Sequence, residues 1–339
     1  MGYKFTTEEF NRLLSDLKKQ YRVYAPVLLK GKGRFSDTDV VGYGEIQNID
    51  DVIFTQKSYF SPKEIFYPIS ETMFYFTEDE YREPKVESKE IIVFLRSCDI
   101  NAVERLDKIM LENGKEPDYY YHRLRSKVKF IKIDCPTSFD SCFCVSMGTN
   151  YTDNYSASIH SDNNGLYLCD VKEDINGLFS SYGTFAEFKP LFVEENDFSV
   201  EVPEDINLAT IAEHDLWQEY SSRCVACGRC NTSCPTCSCF TVQDIFYEDN
   251  PKCGERRRVW ASCQIDGFTD MAGGHSFRKD KGQRMRFKVM HKINDFKKRF
   301  GMHMCVGCGR CDDVCPEYIS FSRCVNKVSA AVQGVNNDG

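Results

Sequence analysis

The sequence predicts an α+β, multidomain protein: an N-terminal α/β domain over residues 1–205, followed by a largely helical domain over residues 206–339. Three observations carry this. Continuous apolar runs alternate with segments of helical spacing through the first half, the character changes near Pro203, and from Arg223 onward cysteine and basic residues dominate. With 339 residues and 42% apolar content, the chain has material for two packed cores, which excludes a disordered or fibrous description of the whole.

In chain order, Thr6-x-x-Glu9 reads as a capping box opening a helix whose apolar positions are Phe10, Leu13, Leu14 and Leu17. Met1-Gly2-x-x-x-Thr6 also fits a myristoylation pattern, but the cap already accounts for Thr6. The run Glu90–Leu95 predicts a strand covered on both faces. Residues 101–110 follow as a helix with Ala102, Val103, Leu106 and Ile109 on one face and Asp99 as cap. Val128–Ile133 is a second strand, and residues 165–168 a third. Residues 206–220 and 284–300 have helical spacing, the latter with Phe287, Met290, Ile293 and Phe296 on a stripe and Gly301 as its stop. The segment from Gly334 to Gly339 reads as a frayed tail.

No apolar run approaches the ~18 residues of a membrane span, and the first residues lack the apolar stretch of a signal peptide, so a soluble, cytoplasmic protein without membrane contact is expected. In a reducing compartment, 18 cysteines cannot serve mainly as disulfides, which turns attention to metal or redox chemistry. The net charge of -8 conceals a basic stretch, Arg278 to Arg299, with ten Lys/Arg and two Asp. The chain is therefore not a uniformly basic nucleic-acid binder.

Two segments share one spacing: Cys224-x-x-Cys227-x-x-Cys230-x-x-x-Cys234-Pro235 and Cys305-x-x-Cys308-x-x-Cys311-x-x-x-Cys315-Pro316. Three thiolates at this spacing can face one cubane, and the fourth, before proline, is carried to the other cluster. The predicted sets are Cys224, Cys227, Cys230 and Cys315 for one [4Fe–4S] cluster, and Cys305, Cys308, Cys311 and Cys234 for the second. Zinc, the rival, favours two separated pairs over three cysteines plus a fourth, repeated twice. The seventy-residue separation of the motifs, with helical stretches before and between them, makes the second domain a helical ferredoxin-like domain with an insertion.

Cys98 and Cys135 end the two central strands. If those strands are parallel neighbours, both thiols emerge at one sheet edge, near Cys142 and Cys144. These four could converge on a third cluster, or be buried free thiols. Cys237, Cys239, Cys253 and Cys263 could form a further site, although their irregular spacing favours packing around the clusters. Cys169 and Cys324 read as structural.

Beyond the cysteine motifs, Arg96-Ser97-Cys98-Asp99-Ile100-x-Ala102, Cys142-Phe143-Cys144, Pro235-Thr236-Cys237-x-Cys239-Phe240, Trp260-x-Ser262-Cys263-Gln264, Gly274-His275-x-Phe277-Arg278, Arg284-x-Arg286 and His291-Lys292 resemble a family of iron–sulfur electron-transfer subunits. That family includes the iron–sulfur relay component of anaerobic sulfite reductases and the β subunits of cytoplasmic sulfhydrogenases. The resemblance covers about Phe60 to Ile319 and leans toward the sulfite reductase branch at Met271-Ala272-Gly273-Gly274-His275. It implies a third [4Fe–4S] cluster on Cys98, Cys135, Cys142 and Cys144. It also implies a non-catalytic relay that takes single electrons from a flavin subunit using NAD(P)H and passes them to a siroheme subunit reducing sulfite to sulfide. The alternative partner is a NiFe hydrogenase. Neither flavin nor siroheme would bind this chain, in keeping with the lack of a G-x-G-x-x-G fingerprint. A catalytic cluster of radical or dehydratase type, with three cysteine ligands, fits the four-cysteine sets poorly.

On this reading the basic stretch could dock an acidic partner, offset cluster charge, or form a solvated helix face. His275 and His291 could tune a cluster through hydrogen bonds or simply pack.

Overall fold

The computed structural model describes every residue except 34, 36, 163, 338 and 339. In chain order its strands are β1 (Gly2–Thr6), β2 (Tyr21–Leu29), β3 (Val40–Glu45), β4 (Ser70–Phe76), β5 (Tyr81–Arg82), β6 (Glu90–Leu95), β7 (Val128–Ile133), β8 (Ala157–Ser161), β9 (Leu166–Val171), β10 (Thr184–Phe185), β11 (Phe240–Tyr247) and β12 (Asn250–Trp260). Eight of them form one mixed sheet in the order β10-β1-β9-β8-β7-β6-β2-β3. Its centre, β2-β6-β7-β8, is parallel, and antiparallel strands flank it on both sides.

The apolar run of β6 is explained by its two covered faces. Ile91, Val93 and Leu95 pack with Ile100, Val103 and Leu106 of the following helix Ser97–Met110. Ile92 and Phe94 pack on the other face with Leu13, Leu14 and Leu17 of the helix Thr7–Gln20. Each such side chain contributes about 1.5–3 kcal/mol by leaving water. The Thr7–Gln20 helix starts at the expected capping box: Glu9 N–H donates to Thr6 Oγ1 at 3.3 Å, and Thr6 N–H to Glu9 Oε2 at 2.8 Å.

β6 and β7 are parallel neighbours, registered from Ile91–Val128 to Leu95–Lys132, so the loops carrying Cys98 and Cys135 leave the same sheet edge. Asp99 is not the cap of the helix after β6. The helix begins at Ser97, and Asp99 lies inside its first turn, where it binds Arg310 instead.

The expected helix over 206–220 is broken into Leu208–Ala212, a 3-10 turn Asp215–Trp217, and Gln218–Arg223. His214 causes the break by capping a new turn, its Nδ1 accepting from Leu216 N–H at 3.1 Å. The second predicted helix begins earlier, at Lys281, because Asp280 Oδ1 accepts from Gly282 and Gln283 N–H. It runs through a π-turn at His291–Asp295 to Phe300, and Gly301, at φ +76°, ends it as read. The final helix covers Phe321–Asn337, so the expected tail is helical up to Asn337, and its last two residues lie outside the described ones.

The part after residue 205 carries strands as well as helices. β11 and β12 form a hairpin turning at Glu248 and Asp249, and β12 also pairs with β4, making a second sheet β11-β12-β4-β5. Residues from both sides of position 205 thus share one sheet. Arg258 fastens it through Glu71 and Asp118, both at 2.9 Å, and Trp260 stacks on Tyr67. Among the described residues, no helix is long and apolar enough to cross a membrane.

Candidate metal centres

The two cysteine motifs fold alike. In the first, Ala226 and Gly228 are left-handed, at φ +56° and +74°. In the second, Gly307 and Gly309 occupy the same places at +62° and +68°. This repeated reversal gives the two loops the same shape and leaves backbone N–H groups free to reach sulfur. Ala226 N–H lies 3.4 Å from Cys224 Sγ, Gly307 N–H 3.5 Å from Cys305 Sγ, and Ile319 N–H 3.3 Å from Cys315 Sγ. At Cys305 the Gly307 donor favours thiolate over thiol, against the larger effect of burial. The second loop is wedged against the N-terminal half: a Cβ on Gly307 would stand 2.5 Å from Phe143 O, and one on Gly309 2.2 Å from Ser141 O.

Cys224, Cys227, Cys230 and Cys315, the first predicted set, line one cavity with about 480 Å³ of space free of protein atoms, part of it open to solvent. Cys311 lines it as well, so the second set begins at its wall. In that set, Cys305, Cys308 and Cys311 each lie within electrostatic reach of Cys234. The backbone thus brings Cys315 beside the first motif's cysteines and Cys234 beside the second's.

The N-terminal four also come together. Cys98 is in reach of Cys144, Cys144 of Cys142 and Cys135, and Cys135 of Cys142. They abut the second set: Cys98 faces Cys308, and Cys142 Sγ lies 3.7 Å from Cys308 O. Lys57 bridges this seam, reaching Cys308 O at 2.9 Å, Asp313 at 2.7 Å and Cys142 Sγ at 3.9 Å.

Burial acts on several of these thiols, whereas a hydrogen bond from Cys237 draws Cys234 down. Burial pushes Cys144 and Cys305 up to about 12 and Cys308 to about 11. Buried thiols so placed need a cation to hold them as thiolates, and an iron cluster supplies one. Among the described residues, no three His, Cys, Asp or Glu gather tightly enough for a single metal ion. A zinc ion draws its sulfurs to about 2.3 Å; a cubane holds them at its separated corners. The donor type, the αL loops and the N–H to sulfur bonds fit [4Fe–4S] ligation.

Of the remaining cysteines, Cys237, Cys239 and Cys263 gather beside Cys234 and Cys230, whereas Cys253 lies apart at the hairpin end, near Asn250. A hydrogen bond from Cys239 draws Cys263 down to about 6. Cys169 is buried on β9, and Cys324 in the final helix. His275 packs edge-on against Phe277, and His291 against Phe287.

Several side chains at these centres were not singled out from the sequence. Asn196 Nδ2 approaches Cys144 Sγ at 3.7 Å, and Asn231 Nδ2 approaches Cys263 Sγ at 3.0 Å. Lys63, Lys288 and Lys292 are buried among the cysteines. For the last two a signal existed: Arg284, Lys288 and Lys292 recur at intervals of four, one face of a helix.

Comparison with known proteins agrees with this geometry. Residues 223–319 match the 4Fe-4S dicluster domain, which spans both motifs and the hairpin between them. Over 349 aligned positions, 96% of this chain and 97% of the other, the chain is 28% identical to the protein named sulfhydrogenase 2 subunit beta of Pyrococcus furiosus.

Proposed function

We propose that this chain is an iron–sulfur electron-transfer subunit of a multi-subunit oxidoreductase, carrying three [4Fe–4S] clusters and no catalytic residue of its own. The observation that carries this reading is the adjacency of the three thiol sets. The N-terminal set meets the second at Cys308, and the second meets the first at Cys311. Clusters held there would stand in a row, with Cys227 exposed at one end. The chain's residues hold, insulate and charge-balance the clusters; the clusters supply one-electron chemistry.

On this reading the electron donor is a flavin subunit that splits the hydride of NAD(P)H into single electrons. The acceptor suggested by the residue resemblance is a siroheme subunit that reduces sulfite to sulfide, with the complex working in the cytoplasm. A second reading, with a NiFe hydrogenase as partner, is favoured by the near full-length similarity to a sulfhydrogenase β subunit. Anaerobic purification of the tagged chain from its native cells distinguishes them. A siroheme protein in the complex supports sulfite reduction, and nickel in place of siroheme supports the hydrogenase.

A further inference from the structure

The basic stretch from Arg278 to Arg299 splits into two populations. Lys298 and Arg299 are exposed, while Arg284, Lys288 and Lys292, spaced by four, are only 5%, 4% and 4% exposed. Arg284 has a carboxylate partner, Asp266. Among the described residues, Lys288 and Lys292 have none. An ammonium buried without a counter-charge is strongly disfavoured, so the compensation must come from what these lysines face.

What they face is sulfur. Lys292 Nζ lies 3.4 Å from Cys234 Sγ and 2.8 Å from Thr236 Oγ1, and it is in electrostatic reach of Cys305. Lys288 reaches Cys230 of the first set and Cys311 of the second. It also lines the cavity of the first set. The π-turn begins at His291, between the two lysines, and alters the helix register where Lys292 turns toward Cys234.

Given the reading of the eight motif cysteines as ligands of two [4Fe–4S] clusters, we propose that Lys288 and Lys292 are potential-setting residues. Lys292 acts on the cluster of Cys234, Cys305, Cys308 and Cys311, and Lys288 acts on both clusters. A four-thiolate [4Fe–4S] unit goes from a total charge of about -2 to -3 when it takes one electron from a reductant. No bond forms or breaks, and the lysine keeps its proton. A fixed positive charge in a low-dielectric site favours the more negative state, so each lysine holds the midpoint potential up. These lysines are positioning residues: they act through the cluster and touch no substrate.

The test is a dithionite titration of the anaerobic holoprotein followed by EPR, with iron content measured on the same samples. Lys292→Met and Lys292→Gln should move one motif cluster's midpoint negative, and Lys292→Arg should restore it. Lys288→Met and Lys288→Gln should move both, and the exposed control Lys298→Met should move neither. Gln keeps a hydrogen bond but not the charge, so it decides the matter where Met fails to retain iron. Unshifted midpoints at wild-type iron content would overturn the proposal. So would iron loss in both the Met and Gln variants with retention in Arg, because the charge would then serve assembly. A wild-type protein without iron or cluster signals would instead defeat the underlying cluster reading.

Discussion

Arg310 and Asp99 form a fully buried, bidentate ion pair, Nη1–Oδ1 at 2.6 Å and Nη2–Oδ2 at 2.9 Å, that joins the second cysteine motif to the helix after β6. Arg310 lies between Cys308 and Cys311, and Asp99 follows Cys98. Ser58 completes the guanidinium's bonding through its carbonyl and hydroxyl, both at 2.9 Å. This pair, with the Lys57 bridge, ties the N-terminal thiol set to the second. Asp99→Ala leaves a buried guanidinium without its counter-charge and should cost about 3–5 kcal/mol. Thermal unfolding of the anaerobic protein reads the loss, and removal of both partners should cost less than the sum of the single changes.

Crossed ligation predicts a specific pattern of iron loss. Cys315→Ser should remove about four of about twelve iron atoms and abolish the signal of the cluster on Cys224, Cys227 and Cys230. Cys234→Ser should abolish the other motif's cluster instead. Iron analysis with EPR on each variant reads the outcome. Loss of the Cys305–Cys311 cluster in the Cys315 variant would mean that each motif keeps its own fourth cysteine.

The two motif loops should respond differently to a methyl group. Ala226 already bears a Cβ in the left-handed conformation, so Ala226→Gly should change stability by no more than about 1 kcal/mol, strain relief opposing the entropy of glycine. Gly307→Ala adds the same strain and also drives Cβ to 2.5 Å from Phe143 O and 2.6 Å from Cys144 N. It should weaken retention of the second cluster and of the N-terminal one together, measured as iron content after gel filtration.

His291 gives the fold a pH dependence. Burial, and then the charge of Lys292, hold its imidazole below the usual 6.5. The unfolded chain therefore takes up a proton near 6.5 that the folded chain resists. The stability His291 contributes is present above that pH and is lost as the pH falls below it. His291→Leu should flatten the fall in melting temperature between pH 7 and 6 relative to wild type.

The site was more legible in the sequence than the frame that builds it. Thiol spacing is a local property, and the two motifs carry it within a dozen residues each. The central strands were legible because a doubly covered strand such as β6 is a continuous apolar run. The β11–β12 hairpin was not: Glu255 to Arg258 is a charged run, and its strand character comes from pairing with β4, far off in sequence. Asp99 looked like a helix cap because that position suits one locally; its partner lies 211 residues away. Lys288 and Lys292 were hidden in a basic stretch whose solvated and buried members have the same composition and differ only in helical phase.

The most direct measurement is iron and acid-labile sulfide per chain on the anaerobically purified protein, with EPR after reduction. Three cubane centres predict about twelve iron and about twelve sulfide, with cluster signals that interact magnetically because the thiol sets adjoin. About eight iron would remove the N-terminal cluster, and zinc in place of iron would contradict the account altogether.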